Sequence, residues 1–212
     1  MTENPNGPNA ATDKSHCNPS APLIITGMHR SGTSLTAGLL NKAGLHVGIR
    51  LNPGARGNPR GYFENLDFVR LHERIFNSLG YSREGWIFDS INKVPSHFNA
   101  DAQETITLNA CLDMWGFKDP RAALLLDFWH EISPRSKFLF TARAPWQVAD
   151  SLFRRGDEFF KANPRLAIEV WHTYNENILR FFRNNRSICI LHCLDGIIEN
   201  PDKLIDSINE KF

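Results

Sequence analysis

The sequence predicts a three-layer α/β/α fold, in which helices cover both faces of a central parallel sheet of about four to five strands. Short apolar, β-prone runs alternate along the chain with longer segments of helical periodicity. The connections between these runs are long enough for βαβ crossovers, which place helices on both faces of a parallel sheet. Hydrophobic residues make up 42% of the 212 residues, including 15 Phe and 5 Trp, and can form a substantial core.

The charge balance excludes a protein that binds anions through a general positive charge. Lys and Arg together number 24 and Asp and Glu number 23, which gives a formal net charge of +1. A generally basic nucleic-acid coat protein is therefore excluded, and we expect no nucleic-acid partner. An anionic ligand must be held by a local cluster of cations.

The amino terminus has the composition of a flexible tail. Residues 1–20 are rich in Asn, Pro, Ser and Thr and lack the apolar core of a secretion signal. No apolar run approaches the roughly 18 to 20 residues that cross a bilayer. The four cysteines show neither a pairing pattern nor metal-ligand spacing. We therefore expect a tail at 1–21, a single domain at 22–212, a cytoplasmic location, no transmembrane segment and no metal.

Apolar spacing and breaker residues predict the elements of the first half. The β-prone run 23–26 ends at Gly27 and predicts a strand. Helical spacing of leucines predicts a helix over 33–43. Residues 47–62 are rich in Gly and Pro, which predicts a long loop of the kind that often carries function. Further periodic segments predict helices at 64–79 and 99–112.

The second half continues the alternation of strands and helices. Residues 115–118 predict a short strand, and Asp119 followed by Pro120 has the pattern of an N-cap and first residue of a helix that runs to Trp129. Residues 137–143 form the clearest predicted strand. The remaining predictions are a helix from 145, a helix at 163–182, a strand at 187–191 and a last helix from 200.

The segment Gly-Met-His-Arg-Ser-Gly-Thr-Ser at 27–34 lies between a predicted strand and a predicted helix. Its two glycines allow the backbone to curl so that amide N–H groups converge, and the helix N-terminus adds a partial positive charge. Hydroxyl groups and one guanidinium provide further donors. The pattern predicts a phosphate-binding loop with six ligand-binding residues: His29, Arg30, Ser31, Gly32, Thr33 and Ser34.

This loop differs from a nucleoside-triphosphate loop at one informative position. Its first part matches G-x-x-x-x-G-K-[ST], but Thr33 stands where the lysine is required. That lysine contacts the outer phosphates of ATP or GTP. The substitution disfavours a small P-loop kinase, which stays open as an alternative.

The run from Arg30 to Ser34 resembles the 5′-phosphosulfate loop of sulfotransferases that use 3′-phosphoadenylyl sulfate (PAPS). Arg143 and Ser151, eight residues apart, resemble the pair with which the family binds the 3′-phosphate of the donor. Lys118 matches a family lysine that steadies the sulfuryl group. The resemblance implies a P-loop NTPase-like sulfotransferase fold, PAPS as donor, adenosine 3′,5′-bisphosphate as product and no metal.

The resemblance also implies catalytic roles. Arg30 and Lys118 would stabilise charge on the donor, but Pro120 stands where cytosolic members carry a histidine base. Glu64, at the exit of the long loop, is the predicted base, because several glycan- and tyrosine-modifying members use a glutamate there. Asp119 is the second candidate base, with a simple N-cap role as its alternative.

Three functions remain open from the sequence. The first is transfer of a sulfuryl group to a hydroxyl or amine of a small-molecule or glycan acceptor. The second is the kinase, and the third is a non-catalytic protein that binds adenosine 3′,5′-bisphosphate. Cytosolic members of the family continue beyond the last helix with a basic segment that contacts the 3′-phosphate, whereas this sequence ends at Phe212. We therefore expect that contact to be absent or to come from another element, with either weak donor binding or a partly degenerate relative as the consequence. The acceptor and the oligomeric state are not predicted.

Overall fold

The computed structural model describes residues 20–54, 61–110 and 114–212. All but the last two residues of the predicted tail, 1–21, lie outside these ranges. Trp115 Nε1 donates a hydrogen bond of 2.7 Å to the carbonyl oxygen of Ser20, so the chain contacts the folded part from the first described residue.

Among the described residues, four parallel strands form the sheet: β1 Leu23–Thr26, β2 Gly116–Lys118, β3 Lys137–Ala142 and β4 Cys189–Cys193. Their spatial order is β2-β1-β3-β4. In β1, Leu23 aligns with Gly116 of β2 on one side and with Lys137 of β3 on the other, and Phe138 of β3 aligns with Cys189 of β4. The parallel sheet and its strand number are therefore confirmed.

The predicted helices are present in the expected order, with one split and two additions. The predicted helix over 119–129 is divided into a 3₁₀ turn at Pro120–Leu124 and an α-helix at Leu126–Ile132. The short helices at Glu158–Ala162 and Leu194–Glu199 were not predicted. The α-helices are α1 Thr33–Lys42, α2 Leu66–Ser78, α3 Phe98–Asn109, α4 Leu126–Ile132, α5 Pro145–Arg155, α6 Glu158–Ala162, α7 Arg165–Asn184, α8 Leu194–Glu199 and α9 Pro201–Lys211.

Alternate residues of the strands point into two separate cores, as buried parallel strands require. Ile24 belongs to the larger core, which α2, α3, α4, α5 and α7 cover. Its neighbour Ile25 belongs to the smaller core, which α1, α8 and α9 cover. The predicted three-layer arrangement is thus confirmed.

The carboxyl ends of three strands meet at one edge of the sheet. Strand β1 leads into the loop after Thr26, β2 ends at Lys118, and β3 is followed by Arg143. In open parallel sheets, ligands bind at this edge. Each of the three predicted site segments therefore begins at the same edge.

Candidate active site

Close packing forces the predicted phosphate loop, residues 27–34, into a curled path. A Cβ atom at Gly27 would lie 2.3 Å from the carbonyl oxygen of Thr141, so β3 leaves no space for a side chain there. Gly32 has φ 98°, and a Cβ on it would lie 2.4 Å from Leu194 Cδ1. Arg30 also adopts a left-handed conformation, with φ 68°. Both loop glycines are therefore required by the geometry.

The hydroxyl groups of the loop divide into two kinds. Ser31 is buried, donates to the carbonyl oxygen of Met28 at 2.6 Å and lies 3.1 Å from Thr141 Oγ1, so its hydroxyl braces the loop against β3. Thr33 and Ser34, at the start of α1, line the cavities beside the loop. These two hydroxyls are therefore the ones that can contact a ligand.

Arg30, Arg143 and Ser151 form one cluster beside the loop. Arg30 Nε donates to Ser151 Oγ at 2.9 Å, and Arg143 Nη1 donates to the carbonyl oxygen of Arg30 at 3.2 Å. Arg143 Nε donates to Gln147 Oε1 at 3.2 Å. The sequence spacing of Arg143 and Ser151 thus places both side chains against the phosphate loop.

This cluster is short of negative charge. Among the described residues, no ion pair joins Arg30 or Arg143 to a carboxylate, since their hydrogen bonds go to neutral oxygens. Burial, followed by the positive charge of Arg155, lowers the pKa of Arg30 below its usual value. A half-buried guanidinium with cationic neighbours favours the binding of an anion.

A buried ion pair lies on the other side of the loop. Lys118 Nζ, at the end of β2, lies 2.6 Å from Glu64 Oε1, and both residues are buried. Asn52 Nδ2 donates to Glu64 Oε2 at 3.2 Å, and Arg121 Nη2 lies 3.9 Å from the same oxygen. Glu64 precedes α2, so it belongs to the exit of the long loop as predicted.

Asp119 lies behind this pair in a buried network. Its Oδ1 accepts from the backbone N and from Nε of Arg121, each at 2.9 Å, and its Oδ2 lies 2.9 Å from His72 Nδ1. Because Trp129 Nε1 donates to His72 Nε2 at 2.9 Å, the His72 proton is on Nδ1 and is donated to Asp119. The N-cap prediction for Asp119 is confirmed by its bond to the Arg121 backbone.

The same network determines how Asp119 ionises. Burial alone would raise the pKa of Asp119, but Arg121 and His72 outweigh it and hold the pKa well below its usual range. Asp119 is fully enclosed and lines neither of the cavities beside the loop. Glu64 also accepts hydrogen bonds from Lys118 and Asn52, but it lines one of these cavities. The structure therefore favours Glu64 over Asp119 as the candidate base.

Two cavities, each of about 240 Å³, meet at the loop and share Arg30, Thr33 and Ser34. The Glu64 cavity is lined by residues from several segments of the chain, including His29, Glu64, Trp86, Lys118, Arg121 and Arg155. The Arg143 cavity is lined by Gly32, Leu35, Arg143, Leu194 and Ile198 together with the shared residues.

Two functional candidates were missed by the sequence reasoning. Arg121, in the Glu64 cavity, also forms ion pairs with Asp119 at 2.9 Å and with Glu73 at 3.3 Å. Trp86, in the same cavity, comes from a segment without regular secondary structure. Arg121 directly follows Lys118, Asp119 and Pro120 in the sequence, and that adjacency was the available signal. No pattern in the sequence indicates Trp86.

Within residues 20–54, 61–110 and 114–212, no helix combines the length and the apolar character needed to cross a bilayer. In the same ranges, no three or more His, Cys, Asp or Glu side chains are grouped so that they would hold a metal ion.

Solved structures that resemble this chain include three sulfotransferases. Sulfotransferase STF1 from Mycobacterium tuberculosis has a TM-score of 0.60 at 17% sequence identity, over 91% of this chain and 67% of its own. Sulfotransferase STF9 from Mycobacterium avium has a TM-score of 0.59 at 15% identity, over 91% of this chain and 63% of its own. The sulfotransferase domain of the olefin synthase from Synechococcus PCC 7002 has a TM-score of 0.54 at 20% identity, over 91% of this chain and 74% of its own.

The comparisons by sequence add nothing to this likeness. No protein-family model matches the chain, and no curated protein is significantly similar to it. The chain spans 67% and 63% of the lengths of the two mycobacterial proteins, so the likeness concerns the shared fold. The chain has the sulfotransferase fold, as the resemblance of its phosphate loop predicts.

Proposed function

We propose that this protein is a sulfotransferase that moves a sulfuryl group from PAPS to a hydroxyl or amine of a small-molecule or glycan acceptor. The observation that carries the proposal is the position of Arg30 between two cavities. On one side it meets Arg143 and Ser151, and on the other it shares a cavity with Lys118 and Glu64. This arrangement supports a reaction in which the nucleotide occupies one cavity and the acceptor the other.

The donor would bind with its 3′-phosphate at Arg143 and Ser151. Arg143 has no carboxylate partner among the described residues, so a phosphate would supply the negative charge that balances its guanidinium. The 5′-phosphosulfate would lie on the loop amides, where Arg30 and the hydroxyls of Thr33 and Ser34 add donors. Ser31 and Gly32 shape the loop, while His29 lies on the side of the Glu64 cavity.

In the proposed reaction, an oxygen or nitrogen of the acceptor forms a bond to sulfur as the bond from sulfur to the bridging oxygen breaks. The electron pair of the broken bond stays on the 5′-phosphate, and Glu64 takes the proton of the acceptor. Arg30 and Lys118 would stabilise charge on the leaving phosphate and on the sulfuryl oxygens. The ammonium of Lys118 has three N–H groups. It can therefore keep its hydrogen bond to Glu64 while another N–H contacts the sulfuryl donor.

Calorimetry with adenosine 3′,5′-bisphosphate and with ATP tests this proposal. We expect the bisphosphate to bind more tightly than ATP, and we expect Arg30→Ala to weaken its binding at least tenfold. Arg154→Ala is the matched control, because Arg154 is an exposed guanidinium on the same helix as Ser151. Tighter binding of ATP, accompanied by magnesium-dependent ATP turnover, would support the kinase instead.

A second measurement separates an enzyme from a binding protein. Transfer of radiolabelled sulfate from PAPS is assayed against alcohol, phenol, amine and glycan acceptors. Transfer to one of these classes supports the sulfotransferase. Tight binding of the bisphosphate without transfer to any of them would support the non-catalytic protein.

A further inference from the structure

His29 is a phosphate-loop residue whose side chain turns away from the nucleotide side. Its ring lines the Glu64 cavity and not the Arg143 cavity. The ring is held edge-on by Trp86 at 4.8 Å and by Tyr174 at 5.9 Å between ring centroids. Tyr174 in turn donates a hydrogen bond to the carbonyl oxygen of Gly85 at 3.0 Å, so this contact is itself fixed.

The hydrogen-bonding capacity of His29 is unused in the described part of the chain. Its Nε2 is enclosed and has no hydrogen-bond partner there. His72, the other histidine of this region, has partners for both ring nitrogens, Asp119 for Nδ1 and Trp129 for Nε2. An enclosed polar atom without a hydrogen-bond partner costs free energy. The His29 ring can therefore form a further hydrogen bond to a ligand.

The surroundings keep this imidazole neutral. Burial, and after it the positive charges of Arg121 and Arg155, lower the pKa of His29 well below its usual value, against a smaller opposing effect of Asp119. A neutral imidazole has one nitrogen that donates and one that accepts. Such a ring suits an alcohol or another neutral hydroxyl compound, which likewise donates and accepts.

The charges that line the Glu64 cavity point to a neutral acceptor as well. Lys118 and Arg121 are paired with Glu64, and Arg155 Nε donates to Asp157 at 2.7 Å. Once Arg30 is neutralised by the donor, no cation of this cavity is left without a carboxylate among the described residues. An anionic acceptor would therefore meet only cations whose charge a carboxylate already balances.

We propose that His29 is an acceptor-binding residue, which hydrogen-bonds a neutral hydroxyl compound in the Glu64 cavity next to the predicted base. This inference rests on the proposed sulfotransferase function and moves His29 from the donor side, where the sequence pattern places it, to the acceptor side. It also names the class of acceptor as a neutral hydroxyl compound rather than an amine or an acid.

Three variants separate the polarity of the ring from its packing. His29→Phe retains an aromatic ring against Trp86 and Tyr174 but removes both nitrogens. His29→Asn and His29→Gln place a polar atom near Nδ1 and near Nε2, respectively. For all three we expect the Kd for adenosine 3′,5′-bisphosphate, measured by calorimetry, to stay within about threefold of the wild-type value.

The contact itself is tested with ethylene glycol as a probe alcohol. Crystals of the wild-type protein, free and with adenosine 3′,5′-bisphosphate, are soaked in ethylene glycol. We expect the alcohol in the Glu64 cavity with a hydroxyl within about 3.2 Å of a His29 ring nitrogen. We expect it to be lost from His29→Phe and retained in His29→Asn or His29→Gln.

Several results would overturn the inference. They are a tenfold loss of bisphosphate affinity in all three variants, a His29 ring bonded to the nucleotide or only to protein groups, and an alcohol that stays in place in His29→Phe. A wild-type protein that does not bind the bisphosphate would instead refute the proposed function, and the free crystals would still test the contact at His29.

Discussion

Lys118 Nζ lies 2.6 Å from Glu64 Oε1 in the interior of the protein, although 54 positions separate the two residues in the sequence. Lys118 ends β2, and Glu64 ends the long loop before α2. The pair therefore joins the sheet edge to the exit of the long loop, and both residues line the Glu64 cavity. In the proposed reaction, one partner faces the sulfuryl group and the other faces the acceptor.

Loss of one partner of this buried pair is expected to destabilise the protein. Lys118→Met leaves the carboxylate of Glu64 buried with Arg121 at 3.9 Å as its remaining cation, so we expect the free energy of unfolding to fall by about 3 kcal/mol. Urea denaturation measures the change. The double variant Lys118→Met, Glu64→Gln should recover part of the loss, because no buried charge of the pair remains.

The exposed pair of Lys161 and Glu158, 2.7 Å apart, is the matched control. Lys161→Met should change the free energy of unfolding by less than about 1 kcal/mol, since exposed ion pairs contribute little. Equal losses in Lys118→Met and Lys161→Met would contradict the interpretation of the buried pair.

Glu64→Gln is expected to lower turnover and to spare donor binding. The substituted amide has about the same size as the carboxylate but no basic oxygen, so the turnover number should fall by about 10²- to 10⁴-fold. The Kd for adenosine 3′,5′-bisphosphate should change less than about threefold. Turnover is measured with whichever acceptor the wild-type protein uses, and Glu84→Gln, at the rim of the same cavity, is the control. Wild-type turnover in Glu64→Gln would remove this residue as the base.

Arg143→Ala tests the site proposed for the 3′-phosphate. We expect the affinity for adenosine 3′,5′-bisphosphate to fall by about 10- to 100-fold, which is the range for loss of a charge-assisted hydrogen bond. Binding of 5′-AMP, which lacks the 3′-phosphate, should change far less, and both are measured by calorimetry. Equal losses for the two nucleotides would contradict a role in binding the 3′-phosphate.

The sheet and the phosphate loop were predictable because local sequence determines them. Gly27 and Gly32 lie between an apolar run and a periodic segment, and the structure places them where a Cβ atom has no space. The eight-residue spacing of Arg143 and Ser151 spans a strand end and one and a half helical turns, so it positions both side chains by regular geometry. Short helices such as α6 and α8 carry too few residues for a periodic signal.

The contacts within the site could not be predicted from the sequence. Glu64 and Lys118 were each predicted, but their ion pair depends on the path of the long loop, part of which lies at 55–60 outside the described residues. The hydrogen-bond partners of Asp119 are Arg121, from the 3₁₀ turn that follows it, and His72 from α2, and no spacing rule relates His72 to Asp119. Tertiary packing therefore decides which of two predicted carboxylates faces the cavity.

The buried carboxylate of Asp119 is expected to contribute a pH-dependent part of the stability. Its pKa in the folded protein lies below the unfolded value of about 3.9, so its contribution is complete above about pH 5 and is lost as the pH falls. The loss should approach about 1.4 kcal/mol for each pH unit below the unfolded pKa. Asp119→Asn should reduce this slope, as measured by urea denaturation between about pH 6 and pH 3.

Asp119→Asn should also lower the free energy of unfolding at neutral pH by about 3 kcal/mol, because Arg121 loses its buried partner. The exposed Asp89 provides the control, and Asp89→Asn should leave both the stability at neutral pH and the slope almost unchanged. An Asp119→Asn variant with the acid dependence of the wild-type protein would contradict the assignment.

Gly32→Ala tests whether the packing of the phosphate loop against α8 maintains the ligand-binding geometry. Alanine at φ 98° is strained, and its Cβ would lie 2.4 Å from Leu194 Cδ1, so the loop or Leu194 must shift. We expect the free energy of unfolding to fall by about 1–3 kcal/mol. Because the shift also moves the loop amides, the affinity for adenosine 3′,5′-bisphosphate should fall at least tenfold in calorimetry.

Gly196→Ala is the matched control for this substitution. Gly196 lies within α8, and a Cβ there would meet no atom within 4 Å, so alanine should raise helix stability by up to about 1 kcal/mol and leave nucleotide binding unchanged. Full bisphosphate affinity in Gly32→Ala would show that the curl of the loop does not determine binding. A loss in Gly196→Ala as large as in Gly32→Ala would trace the effect to α8 as a whole, and not to the contact between the loop and Leu194.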